Sequence, residues 1–434
     1  MESPWSIFRK NTREMNVFIW ASMIHSAGSA LMWPLTTIFV HQQLGRSLAE
    51  AGFVITMQFL GGMIGQVAGG SFYYRWGVRN LLIGSLAASA ILQASLVVTA
   101  YTSWWGYIMT MFAIGFTSNL SMPAMQSFIG FRWPERRDEL FNSFYVANNI
   151  GVALGTAVSG VLADISFNLT FLMNAAASVA FAVFFHFYMN NELSSSRMAA
   201  ISSTRSKPDS REVGNSALSD NRAIGAMPHL SLSTKLRSIH IYLFIGCGSM
   251  FIWLANSMWG TGVAPHLTDQ GMEMKMYSWL WTINGIFIFA GQPLLSWLKR
   301  TWAAHSTSQL TWSAALYGVA YLMIWIWPSY IGFVFAMIVA TLGEMLVSPA
   351  VPAYISKVAG REAPFYLGLV GGISSIGRMI GPLALGIAYD TGGLNMVVVV
   401  SIIVAGLSLS SYMLHAWMQR GRQVHDSSSI TCDR

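Results

Sequence analysis

Glu344 and Arg378 each stand about midway along a long apolar stretch of the sequence. An ionised side chain at the centre of a membrane span costs about 2.5–3.5 kcal/mol on insertion scales, so both charges call for an explanation. A carboxyl group in that setting can take up and release a proton, and a nearby guanidinium favours its charged form. The same two residues can also form a buried ion pair that only fixes packing. Glu344 follows Gly343 and precedes Ser348-Pro349, where small residues and proline loosen a helix. In neighbouring antiparallel helices the two charges fall at similar depth, so they could pair.

Further polar residues punctuate other apolar runs. His25, Trp33, Asn119, Met122, Trp253, Asn256, Trp259 and Ser348 are candidate substrate contacts. The indole rings can stack on a cation or a flat aromatic compound, or they can belong to an interfacial aromatic belt. His25 has a side chain that titrates near neutrality, although a histidine bonded between helices serves packing equally well. Asp164 and Asp390 fall at the ends of their runs, as interfacial caps or gate contacts. No phosphate-binding Gly-Lys loop, no His/Cys/Asp cluster with metal spacing and no nucleophile elbow is present, so neither a cofactor nor a metal is expected. Cys247 and Cys432 support no disulfide framework.

Such residues must be held by elements that cross a bilayer. Only 10% of the 434 residues are charged, against roughly 25% in soluble domains, too few to cover a surface this large with water-friendly groups. A span needs roughly 20 apolar residues, and in hydrocarbon it must be helical because an open strand leaves backbone groups unpaired. Spans are expected near 15–40, 48–72, 78–101, 104–130, 139–165 and 167–190, then near 238–266, 273–298, 307–327, 329–356, 363–390 and 393–418. With both termini cytoplasmic, all 25 Lys and Arg residues except Arg46, Lys275 and Arg378 fall inside, as the positive-inside rule requires. The net charge of +7 therefore reads as membrane orientation, not as a nucleic-acid footprint. The Ser-rich, mixed-charge stretch 191–237 reads as a flexible cytoplasmic linker, and 421–434 as a similar tail.

The chain also repeats itself at an offset of 226 residues. Phe18-Ile19 returns as Phe244-Ile245, Met32-Trp33 as Met258-Trp259, Gly65-Gln66 as Gly291-Gln292 and Pro123-Ala124 as Pro349-Ala350. Ile150-Gly151, Gly155, Gly160 and Asp164 return as Ile376-Gly377, Gly381, Gly386 and Asp390. Residues 1–190 and 238–420 are therefore two six-helix bundles. An even number of spans makes the repeats parallel, with a cavity between them at mid-membrane. Two similar bundles rocking about a central site give alternating access.

At this point the sequence resembles the major facilitator superfamily. Gly70, Arg75, Gly77 and Arg79 fit the family's loop motif after the second helix, with Tyr74 standing where the motif has an acid. Gly151, Gly155 and Gly160 resemble the antiporter motif of the fifth helix, with Thr156 for its proline and Ser159 for a glycine, and Gly377, Gly381 and Pro382 copy its first part in the eleventh. Small residues at this spacing let helices approach closely, whether or not exchange is involved. Within the superfamily the drug/proton antiporters are the nearest branch. Met111 stands where many of that branch have an arginine, so proton exchange must rest elsewhere.

The resemblance implies an all-α major facilitator fold of twelve helices, a carrier and not an enzyme, monomeric in a cell membrane, by its compact loops a bacterial cytoplasmic one. Its expected partners are a small-molecule substrate, protons and the lipid bilayer, with no nucleic acid. Proton-coupled export of small amphipathic or drug-like compounds is the expected function, with Glu344 and Arg378 as the coupling residues. A nutrient symporter or lipid flippase on the same fold, or a non-transporting membrane sensor or scaffold, are the alternatives.

Overall fold

The computed structural model describes residues 12–32, 35–205 and 232–432. Among these the chain forms twelve membrane-length segments, numbered α1–α12, and no strand. Two of the longest helical runs show why glycine placement matters. Leu48–Thr102 and Ala363–Cys432 hold 55 and 70 residues. At about 1.5 Å per residue each is more than twice the thickness of a hydrocarbon core of about 30 Å. Each must therefore turn back. Gly77 does so with φ 73°, which splits the first run into α2 (48–76) and α3 (78–102). Gly392 and Gly393 split the second into α11 (363–391) and α12 (394–432), with φ 60° at Gly393. A side chain at either left-handed glycine would be strained.

The remaining segments follow the expected runs. α1 begins as Arg13–Ser29 and resumes as Thr36–Ile38 and a π-helical turn, Phe39–Gln43. α4 is Trp104–Leu120 followed by Met122–Arg132, kinked where Pro123 removes a backbone donor. α5 is Arg137–Ile165 and α6 is Phe167–Arg205. α7 runs from Leu232–Asn256 through a π turn, Trp259–Val263, to Ala264–Asp269. α8 is Met274–Ala290 and Gln292–Thr301, α9 is Ser306–Ile326 and α10 is Tyr330–Val358. The very short α3–α4 and α9–α10 links work because Ser103 and Ser329 are extended and their hydroxyls accept from the backbone N–H of Gly106 and Gly332.

Two expectations are corrected. Residues 191–205, read as flexible linker, continue α6, and the tail 421–432 continues α12. Extending a helix that a membrane span has already nucleated costs far less than starting one, so polar composition did not stop it. The rest of the expected linker, 206–231, lies outside the described residues.

Each half has its own apolar core. In the first, Phe18, Leu82, Phe141 and Phe185 pack near one end and Phe39, Leu96, Tyr107 and Phe171 near the other. In the second, Ile245, Ile252, Tyr321, Phe333 and Val398 form a continuous core. A smaller cluster bridges the halves, where Val146 of α5 packs with Ile288 and Leu295 of α8 and Leu346 of α10.

Candidate functional site

The halves touch at the end of the bundle that carries Arg75, Arg79, Arg132, Lys357 and Arg361, here called the basic end. Gln66 of α2 lies against α11 so closely that a Cβ on Gly368 would meet the Gln66 carbonyl and one on Gly371 would meet its amide oxygen. Across the molecule the Asn142 side chain of α5 donates to Gln292 Oε1 of α8 at 3.0 Å. These two contacts are one pair of repeat positions used twice, since 66 and 142 become 292 and 368 on adding the repeat offset. Gly70 packs on Pro364 and Phe365. Tyr74, in the place of the motif's acid, donates its hydroxyl to the Arg361 carbonyl at 3.0 Å. A neutral phenol thus makes a contact between the halves from the position of the motif's acid. Arg75 is exposed, and Arg79 lies 3.5 Å from His186 Nδ1.

Farther from the basic end, polar residues gather on one wall, that of the second half. Asn256 and Trp259 of α7, Trp281 and Asn284 of α8, Tyr317 of α9, and Thr341 and Glu344 of α10 line a narrow crevice. Asn284 Nδ2 donates to Thr341 Oγ1 at 2.9 Å and reaches Glu344 Oε2 at 3.4 Å. Thr341 in turn donates to the Met337 carbonyl at 2.7 Å. Gly343 lets α9 come close beside Glu344, because a Cβ there would meet the Tyr317 ring and the Ser313 carbonyl. From the opposite half, the buried Tyr145 hydroxyl is aimed at Glu344 but lies outside hydrogen-bond geometry, with no partner among the described residues.

Arg378 and Glu344, which could have paired, form no ion pair among the described residues. The Arg378 guanidinium lies 3.8 Å above the Trp253 ring centroid. Both charges act on Tyr317, which places them in one electrostatic neighbourhood, yet each has taken a neutral partner. The reason lies in helix geometry. Ile380, Leu383 and Ile387 form the exposed apolar stripe of α11. At 100° per residue Arg378 falls on the opposite face, two turns beyond Gly371 on the stripe that meets Gln66. It points at the gap between the halves, where it is exposed, and Trp253, one turn from Asn256, offers a flat face beneath it.

The other predicted site residues fall as follows. The Asn119 amide is occupied, donating to the Gly115 carbonyl and accepting from Gln66 Nε2, both at 3.0 Å, which ties α2 to α4 within one half. His25 stacks on Phe181 with centroids 4.5 Å apart inside the first half, its Nδ1 buried without a partner. Trp259 is buried against the crevice and is not part of a lipid-facing belt. Met122 is exposed beside the α4 kink, and Ser348 lies one turn from Glu344. Gly151 and Gly155 pack on Met23 and Ala27 of α1, and Gly377 and Gly381 on Met250 and Leu254 of α7. Pro382 and Asp390 are exposed. Gly160 lies in α5; Trp33 and the side chain of Asp164 lie outside the described residues.

Sequence reasoning missed Tyr145, Trp281, Tyr317 and Thr341. One signal could have found two of them. Trp253 with Asn256, Trp281 with Asn284 and Thr341 with Glu344 are pairs three residues apart, which places each pair on a single helix face.

Two parallel six-helix halves in contact at one end, with a polar crevice in the second, have the architecture of a membrane carrier. The chain belongs to the major facilitator superfamily: that family's model matches residues 18–306 and again 245–428. The chain is 31% identical over 407 residues to the uncharacterized MFS-type transporter YttB of Bacillus subtilis (strain 168), covering 93% of this chain and 95% of that one. It is 21% identical to the Na(+), Li(+), K(+)/H(+) antiporter of Planococcus maritimus, covering 90% of this chain and 93% of the relative. Among solved structures it superposes on the human organic anion transporter MFSD10 (TETRAN) with a TM-score of 0.66 at 11% identity, over 93% of this chain and all of that one.

Proposed function

We propose that this transporter exports small amphipathic compounds in exchange for protons, with Glu344 as the proton carrier. The observation that carries this reading is the setting of Glu344, an acid midway along a span that faces the gap between the halves, bonded only to a neutral amide among the described residues. A carboxyl group so placed can change its charge as the site is opened to one side and then the other. The cavity wall is aromatic and nearly neutral, which suits amphipathic cargo better than sugars or polyanions. Kinship to a cation/proton antiporter is compatible with exchange, and the partial antiporter motif in α5 and α11 points the same way.

The basic end is then cytoplasmic, both termini lie inside, and the contacts between the halves described above lie on the inner side. Monomeric function in a bacterial cytoplasmic membrane completes the reading.

Purified protein in liposomes, challenged with lipophilic cations, neutral drugs and zwitterionic aromatics, tests it by proton flux. A compound should evoke flux in the wild type and none in Glu344→Gln. Equal flux in both proteins would remove Glu344 from the coupling step, and silence across the panel would remove the exporter reading.

A further inference from the structure

Arg378 is hard to explain as part of a site built for neutral or cationic cargo. It is exposed to the space between the halves and has no hydrogen-bond or ion-pair partner among the described residues, only the Trp253 ring beneath it. A guanidinium stacked on an aromatic face keeps its forked N–H donors directed outward, in the geometry that grips a carboxylate with two parallel bonds. On the same wall Glu344 holds the opposite charge, engaged by Asn284 and faced by Tyr145 and Tyr317. The two charges are near enough to share Tyr317 as a neighbour and are still not paired with each other.

The repeat shows that this arrangement is confined to one half. The positions equivalent to Trp253, Asn256, Trp281, Tyr317, Glu344 and Arg378 are Ala27, Ala30, Ile55, Ile91, Ser118 and Val152. One bundle therefore carries a complementary pair of charges with aromatic faces among them, and the other offers a mostly apolar wall.

We propose that the cargo is an aromatic zwitterion, its carboxylate bound by Arg378, its ammonium by Glu344, and its flat body laid on the exposed indole face of Trp281. This rests on the exporter reading above. A purely cationic molecule would leave the Arg378 charge uncompensated beside it in a low-dielectric site, and a purely anionic one would face the Glu344 carboxylate. A zwitterion neutralises both. It also explains the exchange: the substrate ammonium and a proton compete for one carboxylate, so arrival of either releases the other, while Arg378 holds the substrate's remaining charge.

The test is a matched series in liposomes: 6-(aminomethyl)-2-naphthoic acid, a zwitterion; its methyl ester, a cation; and its N-acetyl derivative, an anion. In the wild type the zwitterion should drive proton exchange about tenfold better than either derivative, the ratio expected for losing one charge-assisted hydrogen-bonded contact. In Arg378→Gln the zwitterion-to-ester ratio should fall to about one, and Arg378→Lys, which keeps the charge without the fork, should lie between. An ester moved as well as the zwitterion by the wild type would overturn the assignment, and so would a ratio unchanged in Arg378→Gln. If that variant does not fold, the wild-type series decides alone. Flux with the ester only would leave proton-coupled export standing and remove this substrate class, whereas no proton movement with any member of the series or with lipophilic cations removes both.

Discussion

The Arg378–Trp253 stack shows how much depends on one side chain's choice of partner. Had Arg378 closed on Glu344, the pair would have neutralised itself and left the crevice with no charge for a ligand. Trp253 holds the guanidinium without consuming its hydrogen-bond donors. An exposed contact of this kind is worth about 0.5–1 kcal/mol, so Trp253→Ala should lower transport and slightly lower the thermal midpoint, with Trp253→Phe recovering part of each. An alanine variant as active as the wild type would count against the platform role. Sequence alone marked both charges as expensive and therefore meaningful. It could not say that they would stay apart, because that outcome depends on which face of α11 turns toward the gap. It also offered Asn119 as a cargo contact, whereas both ends of that amide are used within the first half.

Elements were far more legible than contacts. Apolar runs of bilayer length gave the spans, and the glycines at 77, 392 and 393 mark where a continuous helical run has to reverse. What composition concealed was how far α6 and α12 run on, since a polar sequence attached to a formed helix can simply extend it. The glycines of α5 and α11 are a further case. Their spacing was readable as a motif, but only the structure shows which of them are in tight contact. Gly151 and Gly377 sit where a Cβ would strike the backbone of α1 and α7, whereas Gly386 faces open space. Gly151→Leu and Gly377→Leu should each destabilise the fold by about 3 kcal/mol, read as a lower thermal midpoint in detergent. Gly386→Ala should be neutral or slightly stabilising, since alanine is the better helix former. If all three behave alike, the close packing is not what those positions are for.

At the scale of the whole molecule the duplication has produced two halves of the same shape and different chemistry. The second carries the charged wall, and the first contributes Tyr145 and an apolar surface. Their common register was visible in the sequence, but their relative pose was not, because a repeat offset says nothing about which end is shut. The pose makes a direct prediction. Cysteines introduced as Asn142→Cys and Gln292→Cys, in a background with Cys247→Ser and Cys432→Ser, should be joined readily by a short cleavable cross-linker. Transport should stop on cross-linking and return on cleavage. Undiminished transport with the link in place would mean that α5 and α8 do not separate during the cycle.

The Gln66–Gly368 and Asn142–Gln292 contacts occupy equivalent places on opposite sides of one pseudo-twofold axis. A rigid rotation of one half against the other loads both seams equally, and neither is positioned to part first. That symmetry disfavours a state with one seam parted and the other shut, so a path between the halves at this end requires both to open.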